Sequence, residues 1–335
     1  MPRPVVVLAM VPQFTRQLFT DAHHARLAAL AEVPEREPLS AFGDARAAAL
    51  LPRAEILLTG WGCPPLDAAA LAHATRLRAV VHAAGTVKDH LGDAAWDRGL
   101  LVSSAAVANA IPVAEYTVAA ILMANKRLLR LRDRYRALRT FRWWPKEAPG
   151  LGNYGKVIGL VGASAVGRAV IERLRPFAFA VLVADPHLDA AEAARLGVEL
   201  VGLDDLLARA DVVSLHAPAL PETQHLLDAR RLALMRDGAT LINTARGALV
   251  DHAALERELV AGRLEAIIDT TEPEVLPPDS PLYDLPNVFL TPHVAGAMGA
   301  ETQRLATLVI DEIERYARGE PFRHGVRRED LPRLA

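Results

Sequence analysis

The sequence predicts an α/β protein built on parallel sheets and divided into two domains. Three observations predict it. Short apolar runs alternate with longer helical patterns almost throughout the chain. At 335 residues the chain exceeds what one hydrophobic core ordinarily supports. A glycine-bearing turn joins a strand to a helix near the middle, where a second strand-helix series begins. Hydrophobic residues make up 51% of the chain and charged residues 23%, a globular composition with apolar surface enough for two cores.

The first half carries three strands, at 5–9, 55–59 and 77–82, separated by Ala/Leu-rich stretches such as 66–74 that favour helix. Ala83-Ala-Gly-Thr86 closes the third strand, and the carboxyl end of a parallel strand is where such sheets hold ligands. A long helix is expected from Ile111, with Pro112 in its first turn, Glu115 next and then Val118, Ile121, Leu122 and Leu128. Trp143-Trp144-Pro145 and the glycines of 150–155 punctuate the chain. Strands follow at 157–161, 180–185, 212–215, 240–243, 266–269 and 288–290, and a last helix over 301–316 ends at Gly319.

Several function classes are disfavoured at once. The formal charge is -2, and the arginines of 127–142 fall at helical spacings that read as a solvated helix face, so no nucleic-acid partner is expected. Cys63 is the only cysteine, which rules out an intrachain disulfide and a Cys-rich zinc site and points to a reducing, cytoplasmic compartment. The apolar run at 4–10 reads as a buried first strand, and no run approaches the roughly 20 residues of a membrane helix, so no membrane partner is expected. No metal is expected.

Chemistry concentrates in two groups of residues. Val157-Ile-Gly-Leu-Val161 runs into Gly162-Ala-Ser-Ala-Val-Gly167 and then a helix, the context of a dinucleotide turn. Gly162 permits the tight bend, Gly167 lets helix and strand pack closely, and the exposed amides of the first helical turn attract a pyrophosphate. Ser164 stands where a second glycine usually lets the backbone approach the phosphates, and its hydroxyl is able to donate to a phosphate oxygen instead. Asp185 ends the next strand at about the 20-residue spacing of a ribose-binding acid. A carboxylate there accepts from the ribose hydroxyls and repels a 2′-phosphate, which favours NAD over NADP.

In the second group three strand ends each deliver one polar residue: Asn243-Thr-Ala-Arg246-Gly, Asp269-Thr-Thr-Glu272-Pro and Thr291-Pro-His293-Val-Ala-Gly296. The planar fork of Arg246 suits a carboxylate bidentately. Glu272 and His293 read as an acid-base pair, because a nearby carboxylate fixes a histidine's tautomer and favours its imidazolium. Two further residues have two readings each. Trp61 either lines a substrate pocket or packs on the surface, and Lys88 meets either a distal acidic group of a substrate or only water.

These motifs, together with Val213-Ser-Leu-His-Ala-Pro218 and Leu241-Ile-Asn-Thr-Ala-Arg-Gly-Ala-Leu-Val-Asp251, stand in a fixed order. From about residue 77 to about 319 the sequence resembles the D-isomer-specific 2-hydroxyacid dehydrogenase family. The resemblance implies an NAD-dependent enzyme interconverting a small 2-oxo acid and a D-2-hydroxy acid, with Arg246, Glu272 and His293 as its catalytic residues. It places cofactor contacts on Ala165, Val166, Ala217, Pro218, Thr244, Ala245, Asp269 and Gly296, beside Gly162, Ser164, Gly167 and Asp185. Substrate contacts fall on Ala84, Gly85, Thr86 and Asn109 as well as Arg246. The implied architecture is a Rossmann-type doubly wound parallel sheet, residues 109–299, inserted into a second, flavodoxin-like α/β substrate domain of residues 1–108 and 300–335. A homodimer joined through the nucleotide domain is implied too. Three departures stand out: Ser164 for glycine, Thr270-Thr271 for the usual Val-Phe pair, and Thr86-Val-Lys88 for a more glycine-rich loop. The same fold also carries non-catalytic NAD-sensing scaffolds and dehydrogenases for phosphite or 3-phosphoglycerate.

Overall fold

Strands β1 (Val6–Ala9), β2 (Ile56–Thr59) and β3 (Ala79–His82) are buried along their whole length, as expected of parallel strands covered on both faces. A fourth, β4 (Leu101–Ser104), extends the same parallel sheet. The computed structural model describes residues 3–88, 90–140 and 150–333, so Trp143, Trp144 and Pro145 lie outside the described residues. Register aligns Ala9, Thr59, His82 and Ser104, which brings the carboxyl ends of four strands to one edge. Single bridges Val5↔Glu32 and Ala9↔Leu39 set the segment 32–39 beside β1, giving the flavodoxin-like order when that segment counts as second. On one face pack Leu27 of helix Asp21–Leu30 and Leu305, Val309, Ile310 and Ile313 of helix Thr302–Ala317. Those four recur at helical spacing, which is why the last helix settles there. The other face is covered by Ala47, Leu50, Ala70, Leu71 and Ala95 of three short helices.

A second sheet contains β5 (Val157–Val161), β6 (Ala180–Ala184), β7 (Glu199–Leu200), β8 (Val212–Leu215), β9 (Thr240–Asn243), β10 (Glu265–Ile268) and β11 (Val288–Leu290). Every pairing is parallel, in the order β11-β10-β9-β8-β5-β6-β7. The order reverses between β5 and β8, the switch point at which Rossmann-type sheets bind dinucleotides. The chain divides into one unit of Met1–Ala110 with Ala297–Leu334 and a second of Ile111–Gly296, where the sequence reading placed boundaries at 108/109 and 299/300. In the first unit a short strand, β12 (Gly325–Val326), pairs antiparallel with β4.

Two expectations need correction. The long helix begins at Ala106, not near Ile111, so Pro112 lies inside it. Its first turn closes on the Ala105 carbonyl, which accepts from Ala108 and Asn109 before the proline is reached. Proline then removes one rung of the ladder without ending it. Helix Ala106–Asn125, at 20 residues, is also long and apolar enough by length and composition to cross a bilayer, contrary to the sequence estimate. Its Ala114, Ala120, Ile121 and Ala124 are buried in the core of the second unit.

Candidate active site

The turn after β5 is shaped by what its glycines lack. Gly162 has φ 101, and a Cβ there would stand 2.7 Å from the Ala217 nitrogen and 2.8 Å from the His216 carbonyl carbon. A Cβ on Gly167 would lie 2.2 Å from the Gly162 oxygen. Ser164 caps helix Ala165–Leu174 by accepting the Gly167 N–H at 3.4 Å, which leaves its own proton for an outside acceptor. The amides of Ala165 and Val166 open that helix, where no intrahelical partner exists. Asp185 is half-buried, with Oδ2 accepting from Ala163 at 2.6 Å and Oδ1 from His187 at 2.7 Å. A glycine bend, a serine cap, open helical amides and an acid tied to the turn fit the pyrophosphate and ribose of a dinucleotide. Ala217 is buried and Pro218 half-buried at the end of β8, against this turn.

On the same sheet β9, β10 and β11 align Asn243, Ile268 and Leu290, so the loops that follow emerge side by side about 5 Å apart. Arg246 leaves the first loop. Buried Asn243 staples it, donating from Nδ2 to the Arg246 carbonyl at 2.9 Å and accepting the Ala245 N–H at 3.1 Å. The guanidinium donates to the Ala245 carbonyl at 2.7 Å. A Cβ on Gly247 would sit 2.1 Å from the Thr271 carbonyl carbon, so the arginine loop lies flat against the next one. His252 Nε2 accepts the Glu272 N–H at 3.2 Å. Burial pushes the His252 imidazole below its ordinary range, which favours the neutral ring that this acceptor role needs.

His293 occupies the left-handed region at φ 54. Such a conformation costs a non-glycine residue on the order of 1–3 kcal/mol and persists only where its surroundings over-determine it. Here they do. The His293 N–H donates to the Asp269 carbonyl at 2.9 Å, and the buried Asp269 carboxylate accepts from the Thr291 hydroxyl at 2.6 Å and from the Val294 and Ala295 amides at 2.9 Å. Because Thr291 donates to Asp269, the Tyr116 hydroxyl, 2.8 Å away, donates to Thr291. Asp269 therefore serves first as the hub of the histidine loop. Thr244 is similarly engaged, its hydroxyl 3.1 Å from that of buried Thr117, while Ala245 and Gly296 are half-buried.

The carboxylate on His293 corrects the sequence reading. His293 Nδ1 meets Glu274 Oε1 at 2.6 Å, so the ring's partner is Glu274 and not Glu272. The Thr271 hydroxyl shares its one proton between the Pro273 and Glu274 carbonyls, at 2.8 and 2.9 Å, curling the segment so that Glu274 reaches the ring while His252 accepts from the Glu272 N–H. The Glu272–Pro273 peptide is cis. Sequence reasoning thus missed Glu274, although it lay two residues on in the same motif. It also missed Asn243, Tyr116, His252 and Thr271, which act through hydrogen bonds that no spacing announces.

The first unit holds the remaining predicted residues. Ala84 is buried, and Gly85 and Thr86 are half-buried where β3 ends. A Cβ on Gly85 would touch Asn109 Nδ2 at 3.7 Å, and Asn109 Oδ1 accepts the Ala297 N–H at 3.0 Å. Thr86 Oγ1 accepts the Lys88 N–H at 3.3 Å. Trp61 packs on Phe14, ring centroids 5.5 Å apart.

Comparison with known proteins bears on these features. The family description "D-isomer specific 2-hydroxyacid dehydrogenase, NAD binding domain" matches residues 118–295. The chain is 39% identical over 277 residues to a D-3-phosphoglycerate dehydrogenase of Mycobacterium tuberculosis, covering 81% of this chain and 51% of that protein. Over 259 residues it is 34% identical to a glyoxylate reductase of Korarchaeum cryptofilum, covering 76% and 78%. The structure of a phosphoglycerate oxidoreductase from Rhizobium etli superposes with a TM-score of 0.82 at 25% identity, covering 98% and 100%. The chain spans about half the length of the phosphoglycerate dehydrogenases it matches.

Proposed function

The chain belongs to the D-isomer-specific 2-hydroxyacid dehydrogenase family, and on that premise we propose that it is an NAD-dependent oxidoreductase interconverting a small 2-oxo acid and a D-2-hydroxy acid. The observation that carries the proposal is the His293 Nδ1 to Glu274 contact, on the same sheet edge as the Arg246 loop and the glycine turn. With Nδ1–H engaged by Glu274, Nε2 is the nitrogen that gives its proton to a carbonyl oxygen or takes it from a hydroxyl. Arg246 binds the substrate carboxylate and steadies the charge that develops on the reacting oxygen. Bound NAD supplies or accepts the hydride. Gly162, Ser164, Ala165, Val166 and Gly167 receive its pyrophosphate, and Asp185 selects the ribose without a 2′-phosphate. Ala217, Pro218, Thr244, Ala245, Asp269 and Gly296 line the remainder of the cofactor's path.

In the first unit, Ala84, Gly85, Thr86 and Asn109 serve as substrate contacts, with the loop amides presented to a carboxylate. The protein is taken to be a cytoplasmic homodimer joined through the nucleotide domain. The helix Leu128–Leu138 supports that reading, since it buries none of its residues and leaves Leu128, Tyr135 and Leu138 exposed. A second reading, a phosphorylated 2-oxo acid as substrate, is favoured by the names of the relatives 39% identical.

The test is NADH and NADPH oxidation with glyoxylate, hydroxypyruvate, pyruvate, longer 2-oxo acids and 3-phosphohydroxypyruvate. Turnover of an unphosphorylated acid with NADH preferred supports the proposal. Turnover of the phosphorylated acid alone moves the assignment to the second reading, and no turnover of any leaves an NAD-binding scaffold.

A further inference from the structure

Three polar side chains are buried together where β2 and β3 end: Thr59 at 0% exposure, His82 at 3% and His90 at 5%. Strand register pairs Thr59 with His82. The Thr59 hydroxyl lies 2.9 Å from His82 Nδ1 and 3.5 Å from His90 Nε2, and the two rings are tilted on each other with centroids 4.4 Å apart. His82 ends β3 two residues before Ala84 and His90 follows the same loop, so the Thr59 hydroxyl ties β2 to both flanks of residues 84–86. A hydroxyl has one proton and two lone pairs, so Thr59 can engage both rings at once and donates to at most one of them. An apolar trio would fill this place without the cost of burying polar groups. What the cluster contributes is therefore geometry.

We infer that Thr59, His82 and His90 form a bracket that sets the position of residues 84–86, making Thr59 and His82 positioning residues for binding the substrate carboxylate. The functional half of this inference rests on the proposed role of residues 84–86 as substrate contacts.

The experiment compares full-length wild type with Thr59→Val, which keeps the branched volume and removes the hydroxyl, and Thr59→Ser, which keeps the hydroxyl. Glyoxylate and NADH are the substrates. Thr59→Val is expected to raise the KM for glyoxylate about tenfold with kcat and the KM for NADH little changed, the pattern of a lost binding interaction. Thr59→Ser is expected to restore the wild-type value. Amide resonances of Gly85 and Thr86 are followed in the same proteins and should move in Thr59→Val only. Neither KM nor resonances moving would overturn the bracket and leave the dehydrogenase reading intact. Resonances moving with KM unchanged would overturn the substrate role of the loop. Should Thr59→Val fail to fold, the ring nitrogens of the wild type decide: His82 held in a single neutral tautomer supports the bracket, and a tautomer-averaged ring contradicts it.

Discussion

The two parallel sheets present the same kind of edge and hold it by opposite means. In the unit Ile111–Gly296 the turn after β5 depends on missing atoms, since a Cβ at Gly162 or Gly167 would collide with backbone. In the other unit the loop after β3 depends on atoms that are present: Asn109 against Gly85, and the Thr59 hydroxyl against His82 and His90. The first edge is altered by adding a methyl group and the second by removing a hydroxyl. Within the second sheet the same contrast recurs, because the loops after β9, β10 and β11 are side-chain built around Asn243, Asp269 and Thr271. Cofactor binding and proton transfer should thus be separable by mutation.

The largest expected effect tests that separation. His293→Ala and Arg246→Ala should each lower 2-oxo acid reduction by on the order of 10²–10⁴. NADH affinity, read by fluorescence titration, should hold, since neither residue belongs to the glycine turn. A matching loss of NADH affinity would mean that the catalytic loops and the glycine turn do not act separately. Next in size, Glu274→Gln should cut the reduction rate on the order of 10²-fold, as loss of a histidine's orienting carboxylate does elsewhere. Glu272→Gln should stay within about twofold, as for an exposed residue without a partner in the chemistry. Steady-state rates of the two variants decide which carboxylate serves His293. The converse variant, Gly167→Ala, should weaken NADH binding about tenfold or more while sparing the His293–Glu274 pair, because its Cβ meets backbone that cannot yield.

Much of the second sheet was legible in the sequence because strands covered on both faces read as apolar runs, and because glycines with a steric task sit at fixed offsets from strand ends. β4 and β7 escaped for physical reasons. Leu101-Val-Ser-Ser lacks an apolar run, and Glu199–Leu200 pairs through two residues only. The helix start at Ala106 was hidden by Pro112, whose usual place is a first turn. The choice between Glu272 and Glu274 was illegible, since two carboxylates flanking one proline have equal claims until the Thr271 hydroxyl folds the turn. The Thr59–His82–His90 cluster left no trace either, because its members meet only through the pairing of β2 with β3.

The smallest effect concerns stability and should appear in both units. Burial pushes the His216 imidazole down to about 3 from an ordinary 6.5, and it pushes His82 well below its usual value. The unfolded chain then binds more protons than the fold between those values. Stability is accordingly full above pH 6.5 and falls as pH drops toward 3. Urea midpoints at pH 7 and pH 5 should show the decline, and equal midpoints would contradict the neutral burial of these rings.

The most direct test of the claim that His293 carries the transferred proton is the initial rate of wild type, measured in both directions across pH. Reduction consumes a proton from His293 Nε2 and oxidation returns one to it, so reduction should fade and oxidation rise as pH climbs. Profiles that run parallel in the two directions would contradict it.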